Sequence, residues 1–451
     1  MGLALIILAA GRGTRMKSDL PKVLHRIAGA PMLVHAMKAG ETLAPDETVI
    51  VAGYGAEAVG AAARDRAPDA RIVLQTEQRG TAHAVAQAAP ALDGFDGDVI
   101  VLFGDTPFIS AETLARMAEA RLHHDIVVLG FEAADPARYG RLVMHGDNLE
   151  RIVEFKDARA TERAIGFCNS GVMAAPAALL FDLVAEVTDD NAGGEFYLTD
   201  IVAIARARGL SATAVACDEA ETLGINSRTD LAAAEAAFQD RARTMAMDAG
   251  VTLVNPNSVH FSHDTVIGRD TVVEPNVVFG PGVTVAEGVQ LRAFSHLEGC
   301  HVGSGAIVGP YARLRPGTDL GEEARIGNFV ETKNATIGTG TKINHLSYIG
   351  DATLGSGANI GAGTITCNYD GVMKHHTEIG ARAFIGSDTM LVAPVSVGDD
   401  AMTGSGSVIT RDVPGGALAL SRPAQENKPG MARKLLELLK KKKSQRDRGD
   451  G

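Results

Sequence analysis

The sequence contains no tryptophan, and aromatic residues make up only 4 % of it. So few rings argue against an ordinary sandwich or bundle throughout, and the 51 glycines point instead to a stretch of tightly turning repeat. Cysteine is scarce too: Cys168, Cys217, Cys300 and Cys367 lie far apart and form no C-x-x-C pair. The expectation is reduced, buried thiols in a cytoplasmic protein. No apolar run is long enough to span a bilayer, so no membrane insertion is expected. Residues 1–10 are apolar but lack a basic leader and run straight into a glycine turn, so they read as a strand and not as a signal peptide. A formal charge of -12 argues against nucleic acid as the main partner, leaving any anionic ligand to local basic patches. With 451 residues the chain is too long for one core and predicts at least two domains.

What is present is organised around residues 8–22, L-A-A-G-R-G-T-R-M-K-S-D-L-P-K. A short apolar run before a glycine-rich turn suits a buried parallel strand leading into a phosphate cradle. Gly11 and Gly13 let backbone N–H groups close on anionic oxygens, while Arg12, Arg15 and Lys22 supply positive charge. A dinucleotide fingerprint needs a third glycine where Met16 stands, and a P-loop needs a terminal G-K-[ST] that is absent. What remains, G-x-G-T-R-M followed by Pro21-Lys22, resembles the signature loop of the sugar-phosphate nucleotidyltransferases.

Strand-like runs at 48–52, 71–75, 98–103 and 125–130 alternate with helix-like segments at 31–41, 56–66, 80–89 and 111–121. That alternation predicts a mostly parallel sheet covered on both faces, with ligands at the carboxyl ends of its strands. Gln75, Gly80-Thr81 and Phe103-Gly104-Asp105 stand at such ends. Asp105 is a candidate magnesium ligand, since magnesium takes one or two protein oxygens and completes its shell with phosphate and water; the alternative is a turn-capping aspartate beside Pro107. Further clusters follow at Tyr139-Gly140-Arg141, Ile152-Val153-Glu154, Cys168-Asn169-Ser170-Gly171 and Gly224-Ile225-Asn226-Ser227.

With the first loop, these clusters resemble, in order and separation, the uridyltransferase half of the bifunctional bacterial N-acetylglucosamine-1-phosphate uridyltransferase/glucosamine-1-phosphate acetyltransferase family. The resemblance implies that Leu8, Ala9, Ala10, Gly11 and Gly13 meet the uridine and phosphates of UTP, and Lys22 the phosphates. It implies Gln75, Gly80 and Thr81 at the uracil, Phe103 and Gly104 along the nucleotide sugar, and Gly140, Glu154 and Asn169 at the sugar. Asp105 and Asn226 would hold magnesium, and Arg15 with Lys22 would act catalytically on the opposite side of the phosphates.

The texture changes at Ser227, which with Asp230 has the spacing of a capping box. Leu231, Ala234, Phe238, Ala242 and Met245 then share one helical face. The expected organisation is a domain at 1–227, a linker helix at 228–250 and a second domain at 251–451. In the second domain aliphatic or aromatic residues recur every six positions, at 267, 273, 279, 285, 291 and 297. The register slips and resumes at 302, 308, 314, 320 and 326, again at 337, 343 and 349, then at 354 and 360, and last at 379, 385, 391 and 397. A period of six is neither helix nor ordinary strand; each unit is one short face of a coil. Residues 365–378 break the period and are expected to leave the coil as a loop.

This repeat resembles the hexapeptide-repeat left-handed β-helix of acyltransferases. The implied fold is therefore α/β plus all-β: a Rossmann-like nucleotidyltransferase domain, a linker helix and a left-handed parallel β-helix, assembled as a homotrimer. The implied second activity is acetyl transfer from acetyl-CoA to glucosamine 1-phosphate, with His345 as base. Arg315 and Lys333 would bind phosphate, with Tyr348 and Asn359 at the hydroxyls or amine; Asn368 and Tyr369 complete the acceptor region. Ala362, Ser387, Ser405 and Arg422 would line the coenzyme groove. N-acetylglucosamine 1-phosphate would then enter the first site. Arg12, Phe103 and Gly404-Ser405 depart from the family pattern, and none removes a charge or the candidate base. A nucleotidyltransferase with a purely structural β-helix and a non-catalytic scaffold are the alternatives. The tail, with Leu435, Leu436, Leu438, Leu439 and then Lys440 to Lys443, reads as a short amphipathic helix with a basic end.

Overall fold

The computed structural model describes residues 2–446, so Met1, which the sequence reading includes in a strand, and residues 447–451, which it includes in the second domain, lie outside the described residues. The chain forms two compact units. The first runs through Asp248 and includes 260–265 and 279–281; the second holds the rest.

In the first unit, strand Gly2–Ala9 lies inside a nine-stranded sheet, parallel to Glu47–Ala52 on one side and Gly97–Phe103 on the other. Its side chains alternate between two cores. Leu5, Ile7 and Ala9 pack with Leu33, Ala36 and Met37, while Ala4, Ile6 and Leu8 pack with Val85, Leu183 and Val184. Burial on both faces is why the strand is apolar at every position. The sheet is mostly parallel, but Phe167–Pro176 runs antiparallel to both Gly97–Phe103 and Ile126–Glu132. It follows the hairpin Arg141–His145/Asn148–Val153, which lets the chain enter the sheet from the opposite end. The helix expected over 80–89 covers only Thr81–Ala86. Pro90 cannot donate a helical hydrogen bond, and the chain continues as a 3-10 turn at Ala89–Leu92.

The helix Arg228–Asp248 opens with a reciprocal cap: the Asp230 N–H donates to Ser227 Oγ at 3.2 Å, and the Ser227 N–H donates to Asp230 Oδ2 at 2.9 Å. Leu231, Ala234 and Phe238 pack on Ile27, Met32 and Ile225. The apolar face ends there, because Met245 is 65 % exposed, against the expectation from its spacing. The residue that fixes the far half of the helix is polar. Buried Gln239 donates from Nε2 to the Phe261 carbonyl at 2.7 Å and accepts at Oε1 from the Phe261 N–H at 2.8 Å.

The second unit is a coil of short parallel strands. Val272 pairs with Gln290, Ile307 with Arg325 and Lys342 with Asn359. Such offsets of 17 or 18 residues are three six-residue faces per turn. The periodic aliphatics Val285, Leu291, Val308, Leu314, Ile326, Ile343 and Ile385 are buried. Glycine is required where coils touch: a Cβ on Gly327 would lie 1.9 Å from the Asn344 carbonyl oxygen. The interruption at 365–378 is shorter than expected. Ile365–Cys367 stays in register with Met390–Val392, and Thr377–Ile379 with Val395–Val397, so only the residues between them leave the coil. The inward position is held there by Thr366, fully buried, whose hydroxyl accepts from the Gly350 N–H at 2.8 Å. Thr332 fills another apparent gap, its hydroxyl 3.0 Å from that of Thr318. A threonine reads as polar in sequence, yet inside the coil its hydroxyl is satisfied.

Among the described residues no helix is long and apolar enough to cross a membrane. The helix Met431–Arg446 is exposed along its whole length.

Gln239→Ala leaves two buried backbone groups without partners, each costing about 1–3 kcal/mol. The first unit is expected to lose about 2–6 kcal/mol in urea denaturation; a change below about 0.5 kcal/mol would refute the clamp.

Two candidate active sites

The first site forms at the carboxyl ends of the first unit's strands. Gly13 adopts φ 67°, and a Cβ there would come 2.5 Å from Lys22 Cβ, so the glycine lets Lys22 lie against the turn. The Lys22 ammonium donates to Asp105 Oδ2 and, at 3.1 Å, to Asn226 Oδ1. Arg15 Nη2 donates to the same Asn226 oxygen at 2.8 Å. Three loops thus meet through two cations and two oxygens. The third loop is anchored by the Ile225 N–H on the Asp105 carbonyl at 3.1 Å and by the Asn226 N–H on Asp230 Oδ2 at 3.0 Å. An anionic carboxylate and an amide carbonyl already gathering cationic charge are a donor set that fits magnesium, whose other positions go to phosphate and water.

Leu8, Ala9 and Ala10 are buried, so their side chains belong to the core and only their backbones are left for contact with a ligand, and Gly11 has open space where a Cβ would stand. Gln75, expected at the uracil, is buried; its Nε2 donates to the Gly80 carbonyl at 3.1 Å and lies 3.1 Å from His83 Nδ1, bracing the turn that carries Gly80 and Thr81. Gly80 has φ 120°, and a Cβ there would strike the Phe196 carbonyl at 2.4 Å. Thr81 Oγ1 accepts from the Leu198 N–H at 2.9 Å.

A pocket of about 270 Å³ opens beside this cluster, lined by Thr81, Phe103, Gly140, Glu154, Asn169 and Thr199 among others. Gly104 closes the strand end behind it, its N–H on the Leu8 carbonyl at 3.0 Å. Asn169 donates its N–H to the Gly140 carbonyl at 2.9 Å and accepts at Oδ1 from the Gly171 N–H at 3.0 Å. Burial pushes the Glu154 carboxyl above its ordinary range, opposed by the Thr199 hydroxyl at 3.3 Å and reinforced by nearby Asp200, Asp157 and Glu195. Thr199 is not among the residues the sequence singles out, because an isolated T-D pair carries no strand-end signal.

In the second unit the expected residues separate into groups. Arg315, Lys333 and Tyr348 share one ladder: Arg315 Nη1 donates to Glu331 Oε1 at 2.8 Å, and Glu331 pairs in register with Tyr348. Asn368 donates from Nδ2 to Tyr348 Oη at 3.5 Å and to Asp351, which also accepts from Asn334 at 2.7 Å. Burial alone would raise Asp351, but the bonds from Asn334 and Asn368 and the ammonium groups of Lys374 and Lys333 hold it below the usual carboxylate range. Lys374 is a residue that no motif in the sequence marks. It lies in the excursion, and its ammonium beside Lys333 pulls the latter's pKa down. His345 and Asn359 stand on a different ladder, in register with Asn328 and Lys342. His345 is exposed, with Nδ1 2.9 Å from Asn328 Oδ1. Tyr369 is 60 % exposed and donates to the Gly371 carbonyl of its own loop at 2.6 Å. Ala362, Ser387 and Ser405 stack at one corner: the Asp388 N–H donates to the Ala362 carbonyl at 2.7 Å and the Gly406 N–H to the Ser387 carbonyl at 2.8 Å. The Arg422 guanidinium donates to the Ser405 carbonyl.

The MobA-like NTP transferase domain model matches residues 5–176, and the bacterial transferase hexapeptide model of six repeats matches 264–299 and 376–411. Full-length relatives share both halves. "Bifunctional protein GlmU" from a Ruegeria species is 67 % identical over 449 residues, covering 100 % of both chains. The protein of that name from Roseobacter denitrificans is 68 % identical over 449 residues with the same coverage. That from Ruegeria pomeroyi is 69 % identical over 448 residues, covering 99 % of this chain and 100 % of its own.

Glu154 carries a pH signature. Its folded pKa lies above its unfolded one, so stability falls as pH rises through the ordinary carboxyl range, and the deficit is complete above the folded value. Glu154→Gln is therefore expected to unfold at higher urea than the wild type at about pH 8, with the gap closing towards about pH 4. A gap independent of pH would contradict the assignment.

Proposed function

The chain belongs to the family of bifunctional GlmU proteins, and on that premise we propose how its two units divide two transfers. It is a bifunctional enzyme, an acetyltransferase through its hexapeptide half and a uridyltransferase through its nucleotidyltransferase half. Acetyl-CoA and glucosamine 1-phosphate meet in the region 251–451. The resulting N-acetylglucosamine 1-phosphate reacts with UTP in the region 1–227, forming UDP-N-acetylglucosamine and releasing pyrophosphate. The observation that carries the first assignment is the meeting of Arg15, Lys22, Asp105 and Asn226 at one strand end.

The uridylyl step brings two anions together: a sugar phosphate oxygen attacks the α-phosphorus of UTP, and the bond to the bridging oxygen of pyrophosphate breaks. Its barrier is set by repulsion and by charge on the equatorial oxygens. Asp105 and Asn226 would hold magnesium, which when bound offsets phosphate charge and aligns the leaving group. Lys22 and Arg15 place two further cations at the same edge. Backbone at Leu8, Ala9, Ala10 and Gly11 cradles the nucleotide, the Gln75 and Gly80-Thr81 turn receives the base, and Phe103, Gly104, Gly140, Glu154 and Asn169 bound the sugar. Glu154 accepts hydroxyl hydrogens from it.

In acetyl transfer the amine nitrogen attacks the thioester carbonyl, His345 takes the amine proton, and the thiolate of CoA leaves. Arg315, Lys333 and Lys374 draw the acceptor's phosphate, and Tyr348 with Asn368 orders its hydroxyls. Ala362, Ser387, Ser405 and Arg422 line the coenzyme groove. His345 and Asn359 stand on one ladder and Arg315, Lys333 and Tyr348 on another; in the closed trimer that the family resemblance implies, faces of neighbouring copies would complete the site.

Pyrophosphate release is followed with N-acetylglucosamine 1-phosphate and UTP, and CoA release separately with glucosamine 1-phosphate and acetyl-CoA. Arg15→Ala or Lys22→Ala is expected to cut pyrophosphate release by about 10²-fold or more with CoA release retained. His345→Ala is expected to do the reverse, by about 10²-fold or more. Near-normal turnover in these variants overturns the residue roles, and pyrophosphate without any CoA from the wild type overturns the second activity.

A further inference from the structure

Arg141 is one of the most deeply buried large side chains of the protein, 2 % exposed, and among the described residues no carboxylate lies within ion-pair distance of it. A buried guanidinium usually has an anion beside it; this one has backbone. Its Nη1 donates to the Tyr139 carbonyl, and its Nη2 to the Ala137 carbonyl at 3.2 Å and the Arg163 carbonyl at 3.4 Å. Its Nε has no partner. Its guanidinium carbon stands 5.9 Å from the centre of the Phe155 ring, and that of Arg163 stands 4.5 Å from the same ring.

These partners adjoin the walls of the pocket beside the phosphate cluster. Tyr139 and Gly140 form one wall, and the next residue after Glu154 is Phe155. Arg141 itself pairs in register with Cys168, which places Asn169 under the Gly140 carbonyl. Within the turn at 137–140 the Ala137 N–H donates to Asp135 Oδ1 at 3.1 Å and the Tyr139 N–H to the Pro136 carbonyl at 3.1 Å, and the Tyr139 ring meets Phe131 edge-on at 5.0 Å; Arg141 is the side chain that draws the Ala137, Tyr139 and Arg163 carbonyls together. Ala137 sits at φ 36°, and Arg138 is exposed on the pocket's rim. A cation surrounded by carbonyl dipoles is a geometric clamp: planar, always charged, and able to draw several oxygens toward one plane.

We propose that Arg141 is the positioning residue of the sugar subsite, fixing the 137–140 turn, Glu154 and Asn169 in the spacing that accepts a sugar 1-phosphate. It touches no substrate itself. The inference rests on the uridyltransferase reading of this pocket and deepens it, since it separates recognition of the sugar from recognition of the nucleotide.

Arg141→Lys and Arg141→Met are assayed in the full chain. The lysine keeps the charge but spans fewer carbonyls, and the methionine keeps only the volume. Expected is a rise of about tenfold in KM for N-acetylglucosamine 1-phosphate in the lysine variant and a larger one in the methionine variant. KM for UTP and kcat stay within about threefold, and CoA release by the other half stays at the wild-type rate. Amide exchange of residues 137–140, measured without substrates, is expected to quicken in both variants. Parallel rises in both KM values, unchanged exchange at 137–140, or collapse of the whole first unit in the lysine variant would each overturn the proposal. A wild type that releases no pyrophosphate would sink the uridyltransferase reading instead, and the exchange measurement would still decide whether Arg141 holds the turn.

Discussion

The ammonium of Lys22 ties together oxygens that lie 83 and 204 residues away in sequence. Everything in the first unit that precedes this contact serves to make it. The strand Gly2–Ala9 is buried on both faces, so its end is fixed; Gly13 lets the chain turn closely enough for Lys22 to come back over it. Gly97–Phe103 runs beside that strand and delivers Asp105. Asn226 arrives from the far end of the unit, held by the same Asp230 carboxylate that caps the long helix. One capping residue therefore both starts a helix and fixes the loop that carries Asn226.

The second unit rests on a different constraint, the fit of a repeated inward side chain. Because each face has only six residues, chemistry goes to outward and corner positions, where it costs no core volume. Arg315, Lys333 and Tyr348 rise along one ladder, and Asn328 and His345 along another. The part of the coil that escapes this grid, between Cys367 and Thr377, carries Asn368 and Lys374, two polar groups that reach back to Asp351 and Lys333. An excursion of this kind supplies side chains at angles the straight ladder lacks.

Periodicity and strand-end glycines make both units and the first site's loops legible in the amino-acid sequence. The six-residue period predicts the inward set from Val285 to Ile385, and the loop at 8–22 predicts where Arg15 and Lys22 gather. What the sequence hides has one physical character, polar groups satisfied by backbone or by one another. Gln239 clamps Phe261, Thr366 and Thr332 fill the coil, and Arg141 gathers carbonyls. In sequence each looks like a surface residue, because hydropathy registers the side chain and not its partner. The boundary of the apolar helix face fails for the opposite reason: Met245 continues the stripe in sequence but meets no surface.

The claim on which most depends is that Asp105 and Asn226 form a divalent cation site beside Lys22. Manganese, read by its electron paramagnetic resonance signal during titration of the full chain with UTP present, tests it without reference to turnover. One tightly held ion per chain, weakened about tenfold or more by Asp105→Asn, is the predicted result. Equal binding by the wild type and the Asp105→Asn variant would contradict it.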